Sequence, residues 1–475
     1  MAGRATEPSK GRIDLLRARY APAVGNLRSS DTAKAAGLAG AMIANNVLAL
    51  GSSIVFARLI DDYGSLAALV SYLLILTVAG QSMQVATARE GVLGHLGVGD
   101  DLLATLERWA KTLSLVTIGV TIVSILLRQP IADLVGVKHD AWAAAAGLPA
   151  GCVYLELSIM RGALQGIGDY KSVGLSLIGE QASRLMLGAA LAIAGLGVTG
   201  AYLGSLLSYV ATCAYCGSAL YGQLASPDRR RWLATRVTRA AIGLGRHVWQ
   251  AWVPIAGLAV IQLLQNIDLI TAKHQFSKDM ASSYAVTAVA AKVLIWVAMG
   301  AGFYLVPETS RRRAAGEDTR PVLLRSLAII LVCAAPCLLI YAFGAHPLLS
   351  VVFGAKRASA SASLLPLGAA FTVLAATYLA VQYMLALKRV AFLVAIAIVA
   401  IAEPVLLSQA PKQPAGYAAV VLAVQAVGAV LAFGLALRRD NALPRGGGAQ
   451  APAAPSQPIR TAPAEAPPAA PAGRA

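Results

Sequence analysis

Along the chain, long apolar runs alternate with short polar breaks, and the runs are of membrane-crossing length. A helix needs about 20 mostly apolar residues to span the hydrocarbon core. Twelve such runs are centred near residues 47, 76, 120, 150, 183, 209, 261, 294, 331, 374, 398 and 426. They are built of Ala, Leu, Val and Gly without the alternation of lipid-facing barrel strands, so they predict helices. Residues 1–34, which begin MAGRATEPSKGRIDLLRARY, contain no apolar core and are expected to form a basic cytoplasmic arm, not a signal peptide. The last 36 residues carry eight prolines in no periodic pattern, so 438–475 is expected to be a disordered cytoplasmic tail.

The apolar pattern also repeats. FARLIDDYGSLAALVSYLLILTVAGQSMQVATARE (Phe56 to Glu90) and TAKHQFSKDMASSYAVTAVAAKVLIWVAMGAGFYLVPETS (Thr271 to Ser310) each run from Ala-Arg/Lys through a polar turn and a Tyr-Gly/Ala pair into an apolar span that ends in charges. Tyr63 and Tyr284 lie 221 residues apart. An even number of spans separates the copies, so they insert in the same orientation, as parallel repeats do. The expected organisation is all-α and integral to the membrane: a first six-helix lobe over 35–225, a basic cytoplasmic linker over 226–246, and a second six-helix lobe over 247–437.

Composition agrees with the pattern. Hydrophobic residues make up 57% of the chain and charged ones 13%, against roughly 25% charged for a soluble domain. The net charge of +17 would suggest nucleic acid, but its distribution offers a better reason. With both termini cytoplasmic, 30 of the Lys and Arg residues fall on the inner side and 8 on the outer, the bias that sets membrane orientation. No nucleic-acid partner is needed. The high Arg content, 29 Arg to 11 Lys, fits a bacterial source. The five cysteines, Cys152, Cys213, Cys216, Cys333 and Cys337, all lie in apolar segments, which argues against a disulfide framework or a zinc site. No outer loop has room for a separate domain, so function must reside among the helices.

Charges within apolar runs are costly and therefore informative. Asp268 follows Gln262, Gln265 and Asn266 in the outward third of span 7, and Lys292 lies near the middle of antiparallel span 8. They are expected to pair or to share a polar cavity. Glu180 and Arg184, four apart on span 5, have the favourable order for an intrahelical pair. Glu403 precedes Pro404 in span 11 with no partner near it in sequence, and is a candidate protonatable group. Glu156 and Arg161 flank the inner end of span 4 and are expected to snorkel. GLGVTG (Gly195 to Gly200) matches a dinucleotide fingerprint but has no strand before it, so it reads as an outer turn. The run RGALQGIGDYK (Arg161 to Lys171) lacks the Gly-Lys-Ser/Thr of a phosphate loop, and no cofactor, metal or ATP site is expected.

Several segments resemble the polysaccharide and oligosaccharidyl-lipid flippases of the multidrug/oligosaccharidyl-lipid/polysaccharide exporter superfamily. These are FARLIDDYGSLA (Phe56 to Ala67), RGALQGIGDY (Arg161 to Tyr170), GLGVTGAYLG (Gly195 to Gly204), NIDLITAKHQFSKDMASSYAVTAVAAK (Asn266 to Lys292) and VPETS (Val306 to Ser310), within residues 35–437. The resemblance implies an ATP-independent transporter in the bacterial inner membrane that moves a polyprenyl-pyrophosphate-linked saccharide from the inner to the outer leaflet by alternating access. It implies a substrate cavity lined by Asn266, Gln265, Asp268, Lys273, His274, Lys292 and Arg184, with Asp268, Glu403 and Glu180 as candidates for coupling to H+ or Na+. Membrane lipids, and envelope-biosynthesis proteins reached through the tail, are the further partners it suggests. Three other readings compete: a cation-coupled drug or metabolite antiporter of the same superfamily, a membrane glycosyltransferase or polymerase, and a transporter-like scaffold.

Overall fold

The structure, a computed structural model, describes residues 31–225 and 243–438. The expectations for the arm before Asp31, for the linker before Gly243 and for the tail after Arg438 fall outside those residues. Twelve long helices, with the short helices Arg128–Val135 and Leu244–Gln250 beside them, make up most of the described residues. The first six are α1 (Asp31–Leu59), α2 (Tyr63–Val92), α3 (Asp100–Leu126), α4 (Ala141–Gly166), α5 (Tyr170–Leu191) and α6 (Gly197–Leu224). The second six are α7 (Trp252–Gln275), α8 (Lys278–Ala314), α9 (Arg320–Phe353), α10 (Leu364–Ala386), α11 (Phe392–Ser408) and α12 (Pro414–Ala436). Among the described residues, ten stretches are long and apolar enough to cross a membrane. One of them, Tyr170–Leu224, is α5 and α6 folded at a turn where Gly195 and Gly197 have φ of 100° and 49°, and α11 is a shorter apolar helix of 17 residues. The GLGVTG segment thus turns at Gly195 and Leu196 and runs on from Gly197 as the first turn of α6. No strand occurs among the described residues.

The helix ends follow local chemistry. Asp62 and Asp169 each precede a tyrosine and accept a hydrogen bond from the backbone N–H of the serine three residues on, capping α2 and α5. Within the spans the backbone is satisfied by the helices themselves, the condition for crossing lipid. Gly162 and Gly166 on α4 let it approach α2 so closely that a Cβ at Gly162 would meet the Gln84 carbonyl at 2.5 Å. This small-residue packing replaces the hydrophobic drive that lipid removes.

The two halves repeat. Asp31 and Trp252, Asp100 and Arg320, Ala141 and Leu364, and Tyr170 and Phe392 begin corresponding helices roughly 220 residues apart. The packing repeats as well: α2 packs on α4, α4 on α6, α5 on α6, α3 on α4 and α1 on α5. In the second half α8 packs on α10, α10 on α12, α11 on α12, α9 on α10 and α7 on α11. The halves meet through α2 against α7 and α8, and α1 against α8 and α9. Because the helices alternate in direction, connections 60–62, 136–140, 276–277, 354–363 and 409–413 share one face, here the seam face. Connections 93–99, 167–169, 315–319 and 387–391 share the opposite face with the passage from α6 to α7, here the linker face.

Candidate functional site

The polar stripe expected on α7 is present and enclosed. Asp268 is 0% exposed, and Asn266, Gln262 and Gln265 are buried beside it. Seven residues from the end of α7, Asp268 lies roughly 10 Å inside the seam face. Lys292 reaches it from α8: its Nζ lies 3.8 Å from Asp268 Oδ1 and donates to Asn266 Oδ1 at 3.3 Å. The Tyr284 hydroxyl donates to Asp268 Oδ2 at 3.3 Å, and the Tyr417 hydroxyl to the Asp268 carbonyl at 3.0 Å. Phe276, Tyr284 and Tyr417 pack edge to face with centroids 5.1 to 5.6 Å apart and close the group off from the seam face. Phe371 of α10 lies under the ammonium at 5.4 Å.

Glu403 joins the same neighbourhood from α11. It is also 0% exposed, and its carboxylate accepts from Gln425 Nε2 at 3.1 and 3.2 Å. Gln425 also donates to the Leu264 carbonyl at 3.1 Å, which ties α12 to α7. Tyr417 and Gln425, eight residues apart on one face of α12, therefore both reach α7, a pairing that spacing alone could have suggested. The partner that the sequence did not offer Glu403 is an amide from the next helix. The group contains two carboxylates and one ammonium, and Asp268 Oδ1 accepts no hydrogen bond. The buried Gln265 Oε1 is likewise without a partner.

In the first half the expected pairing is corrected. Glu180 does not neutralise Arg184; it faces Arg161 of α4, whose Nη1 lies 2.7 Å from Glu180 Oε2. Arg161 does not snorkel either: it is 1% exposed and donates through Nε to Ser176 Oγ at 2.8 Å. The short contact to Glu180 is one of charge, since Oε2 accepts no aligned hydrogen bond. Helix packing sets this outcome, because α4 and α5 lie in contact and bring the buried Arg161 guanidinium against Glu180. Glu180 and Glu403 occupy the fifth helix of their respective halves, one facing an arginine and the other a glutamine. Arg184 is left half-buried, near Tyr63, Tyr202 and Tyr209, with no carboxylate partner among the described residues.

Lys273 and His274 lie on the seam, not in an open cavity. The Lys273 ammonium binds both Asp62 oxygens, at 2.8 and 3.1 Å, and His274 Nε2 lies 3.0 Å from the Leu134 carbonyl. Burial pushes the Asp62 carboxyl up, but Lys273 together with the Ser65 hydroxyl and N–H holds it below the usual carboxylate range. Further joins between the halves lie on this face: Gly64 N–H donates to Ser282 Oγ at 3.0 Å, and Lys356 lies 3.6 Å from Asp61. On the linker face the short helix Leu244–Gln250 docks on the first half through His247, stacked on Trp109 at 5.0 Å and 3.1 Å from Thr87 Oγ1. Asp62 did not stand out in the sequence, and Arg161 did so only as a residue expected to snorkel. The capping motif Asp-Tyr-Gly-Ser marks the first only as a helix start.

The five cysteines are free, and no cluster of metal-ligating side chains occurs among the described residues. Neither protein-family models nor curated proteins match the chain. Solved structures do. An inward-facing multidrug resistance MATE family transporter of the MOP superfamily aligns at a TM-score of 0.64 and 13% identity, covering 82% of this chain and 93% of that one. Lipid II flippase MurJ in an inward closed conformation aligns at 0.64 and 12%, covering 84% and 87%. An outward-facing MATE family transporter of the same superfamily aligns at 0.56 and 12%, covering 86% and 96%. The fold of this chain is therefore the one shared by MATE transporters and MurJ.

Proposed function

We propose that the protein is an ATP-independent, ion-coupled transporter that carries a polyprenyl-pyrophosphate-linked saccharide from the inner to the outer leaflet of a bacterial plasma membrane. It would act by alternating access between its two six-helix halves, with both termini in the cytoplasm. Arg184 carries this reading. Arg161, Lys273 and Lys292 each face a carboxylate, whereas Arg184 stands within its span near tyrosines with none among the described residues. A guanidinium in that position calls for an anion, and a pyrophosphate offers it bidentate hydrogen bonds. In this reading Asp268, Lys292 and Glu403 form the coupling site. The excess carboxylate takes up H+ or Na+, and Tyr284, Tyr417 and Gln425 report the change in charge to α7, α8 and α12. The fold shared with a structure described as a lipid II flippase supports the assignment.

A second reading, a cation-coupled drug antiporter, draws on one specific observation. Two fully buried carboxylates against one ammonium also suit exchange of a cation for a cationic solute, and the shared fold includes multidrug resistance transporters. One experiment separates the two. The gene is deleted and lipid-linked saccharides on the inner leaflet are identified by mass spectrometry. Accumulation of one such lipid, reversed by the wild-type gene and not by Arg184→Gln, supports the flippase. A lipid profile unchanged by deletion, with lost efflux of a cationic dye, would replace it with the antiporter.

A further inference from the structure

The seam face is closed by a reciprocal exchange of arginines between the halves. A helix leaves its last carbonyls without intrahelical partners, and those carbonyls carry the negative end of the helix dipole. Here α1 and α9 both end on the seam face, and each end is capped by an arginine belonging to the other. Arg357, just after α9, donates to the carbonyls of Ala57, Ile60 and Asp61 at 3.2, 2.8 and 3.0 Å, at the end of α1. Arg58, in the last turn of α1, donates to the carbonyls of Val351 and Val352 at 2.8 Å each, at the end of α9. The two caps differ in setting: Arg357 is only 5% exposed, whereas Arg58 is exposed.

We infer that this exchanged pair of caps is a latch that keeps the seam face shut while the linker face is the one that opens, with Arg357 as its main element. Separating the halves on this face strips both helix ends of their caps at once. The Asp62–Lys273 bridge and the Gly64–Ser282 hydrogen bond lie alongside and break in the same movement. The asymmetry in burial assigns the larger part to Arg357, because its charge-assisted hydrogen bonds are shielded from water. The latch sets which face stays shut, not what is carried. It fails separately from the substrate assignment.

The test is a distance measurement. In a background with the five cysteines replaced, spin labels are placed at Lys138→Cys and Asp279→Cys, exposed positions on the seam face of the first and second halves. Their separation is read by double electron–electron resonance in lipid nanodiscs without substrate. The parent should show one short population. Arg357→Gln should add a longer one, with the ratio of separated to closed forms raised at least about ten-fold by the loss of three charge-assisted hydrogen bonds. Arg58→Gln should do so much less. A purely structural arginine would lower thermal stability without lengthening the distance. Should Arg357→Gln fail to fold, Arg357→Lys, which keeps the charge but not the fork of donors, is read for the same longer population. An unchanged distribution in the folded variant, or a parent already split between both distances, overturns the latch.

Discussion

Lys292→Gln should be the most damaging single neutralisation in the buried group, and Asp268→Asn a milder one. The 3.8 Å between Lys292 Nζ and Asp268 Oδ1 corresponds to about 4 kcal/mol of attraction at an effective dielectric near 20. Without Lys292, two buried carboxylates share one neighbourhood with no cation, and removing one partner of a buried pair costs about 3–5 kcal/mol. Without the Asp268 charge, Lys292 keeps its bond to Asn266 and the field of Glu403, so the cost should be about 1–3 kcal/mol, that of one unsatisfied partner. The double variant should recover a large part of what Lys292→Gln loses, since the two residues are coupled. Purified variants would be heated in detergent and the monodisperse fraction followed by size-exclusion chromatography. A Lys292→Gln variant as heat-resistant as the parent, or a double variant no better than Lys292→Gln alone, would show that the two charges do not depend on each other. A double variant that is stable but inactive in transport would place the group in coupling and not merely in packing.

Other outcomes follow from the same geometry. Because the Asp62 carboxyl titrates below its ordinary value, its bridge to Lys273 adds stability that is fully present above about pH 4 and is lost as pH falls further, so the labelled seam face should begin to separate only in that acid range. Burial depresses the pKa of His247, against the pull of Glu90, so docking of helix Leu244–Gln250 should be intact above about pH 6.5 and loosen below it; hydrogen exchange of that helix at pH 7.5 and 5.5 checks this. Gly162→Val should abolish accumulation of folded protein, because its Cβ meets backbone of α2, whereas Gly179→Ala, with open space around it, should express and melt like the parent. Truncation after Arg439 should leave transport near wild type, and complete loss at normal membrane levels would make the tail a functional element.

The sequence made the spans, the repeat and the α7 stripe legible for related reasons. Apolar length and a Tyr-centred repeat are both linear features, and the membrane imposes the first on the chain directly. Asp268 and Lys292 were readable as neighbours because α7 and α8 are consecutive and antiparallel. Pairings between helices distant in sequence were not legible. Arg161 meets Glu180 because α4 and α5 lie side by side, and Gln425 meets Glu403 because α12 folds back over α11; no spacing rule on one helix encodes either contact. Lys273 and His274 look like cavity cations in the sequence, but α7 ends at the seam and places them against Asp62 and the Leu134 carbonyl. The exchanged caps of Arg58 and Arg357 depend on two helix ends 294 residues apart arriving at one point, which only the assembled halves reveal.

Flipping can be read with purified protein in liposomes that contain a fluorescent polyprenyl-pyrophosphate-linked saccharide, bleached from outside by a membrane-impermeant reductant. Empty vesicles lose only the outer-leaflet signal. With the wild-type protein the bleached fraction should rise towards completion without ATP, Arg184→Gln should return it to the empty-vesicle level, and a H+ or Na+ gradient should change its rate. A bleached fraction equal to that of empty vesicles, from wild-type protein that exchanges a cationic dye for H+ in the same membranes, would show an antiporter and not a flippase.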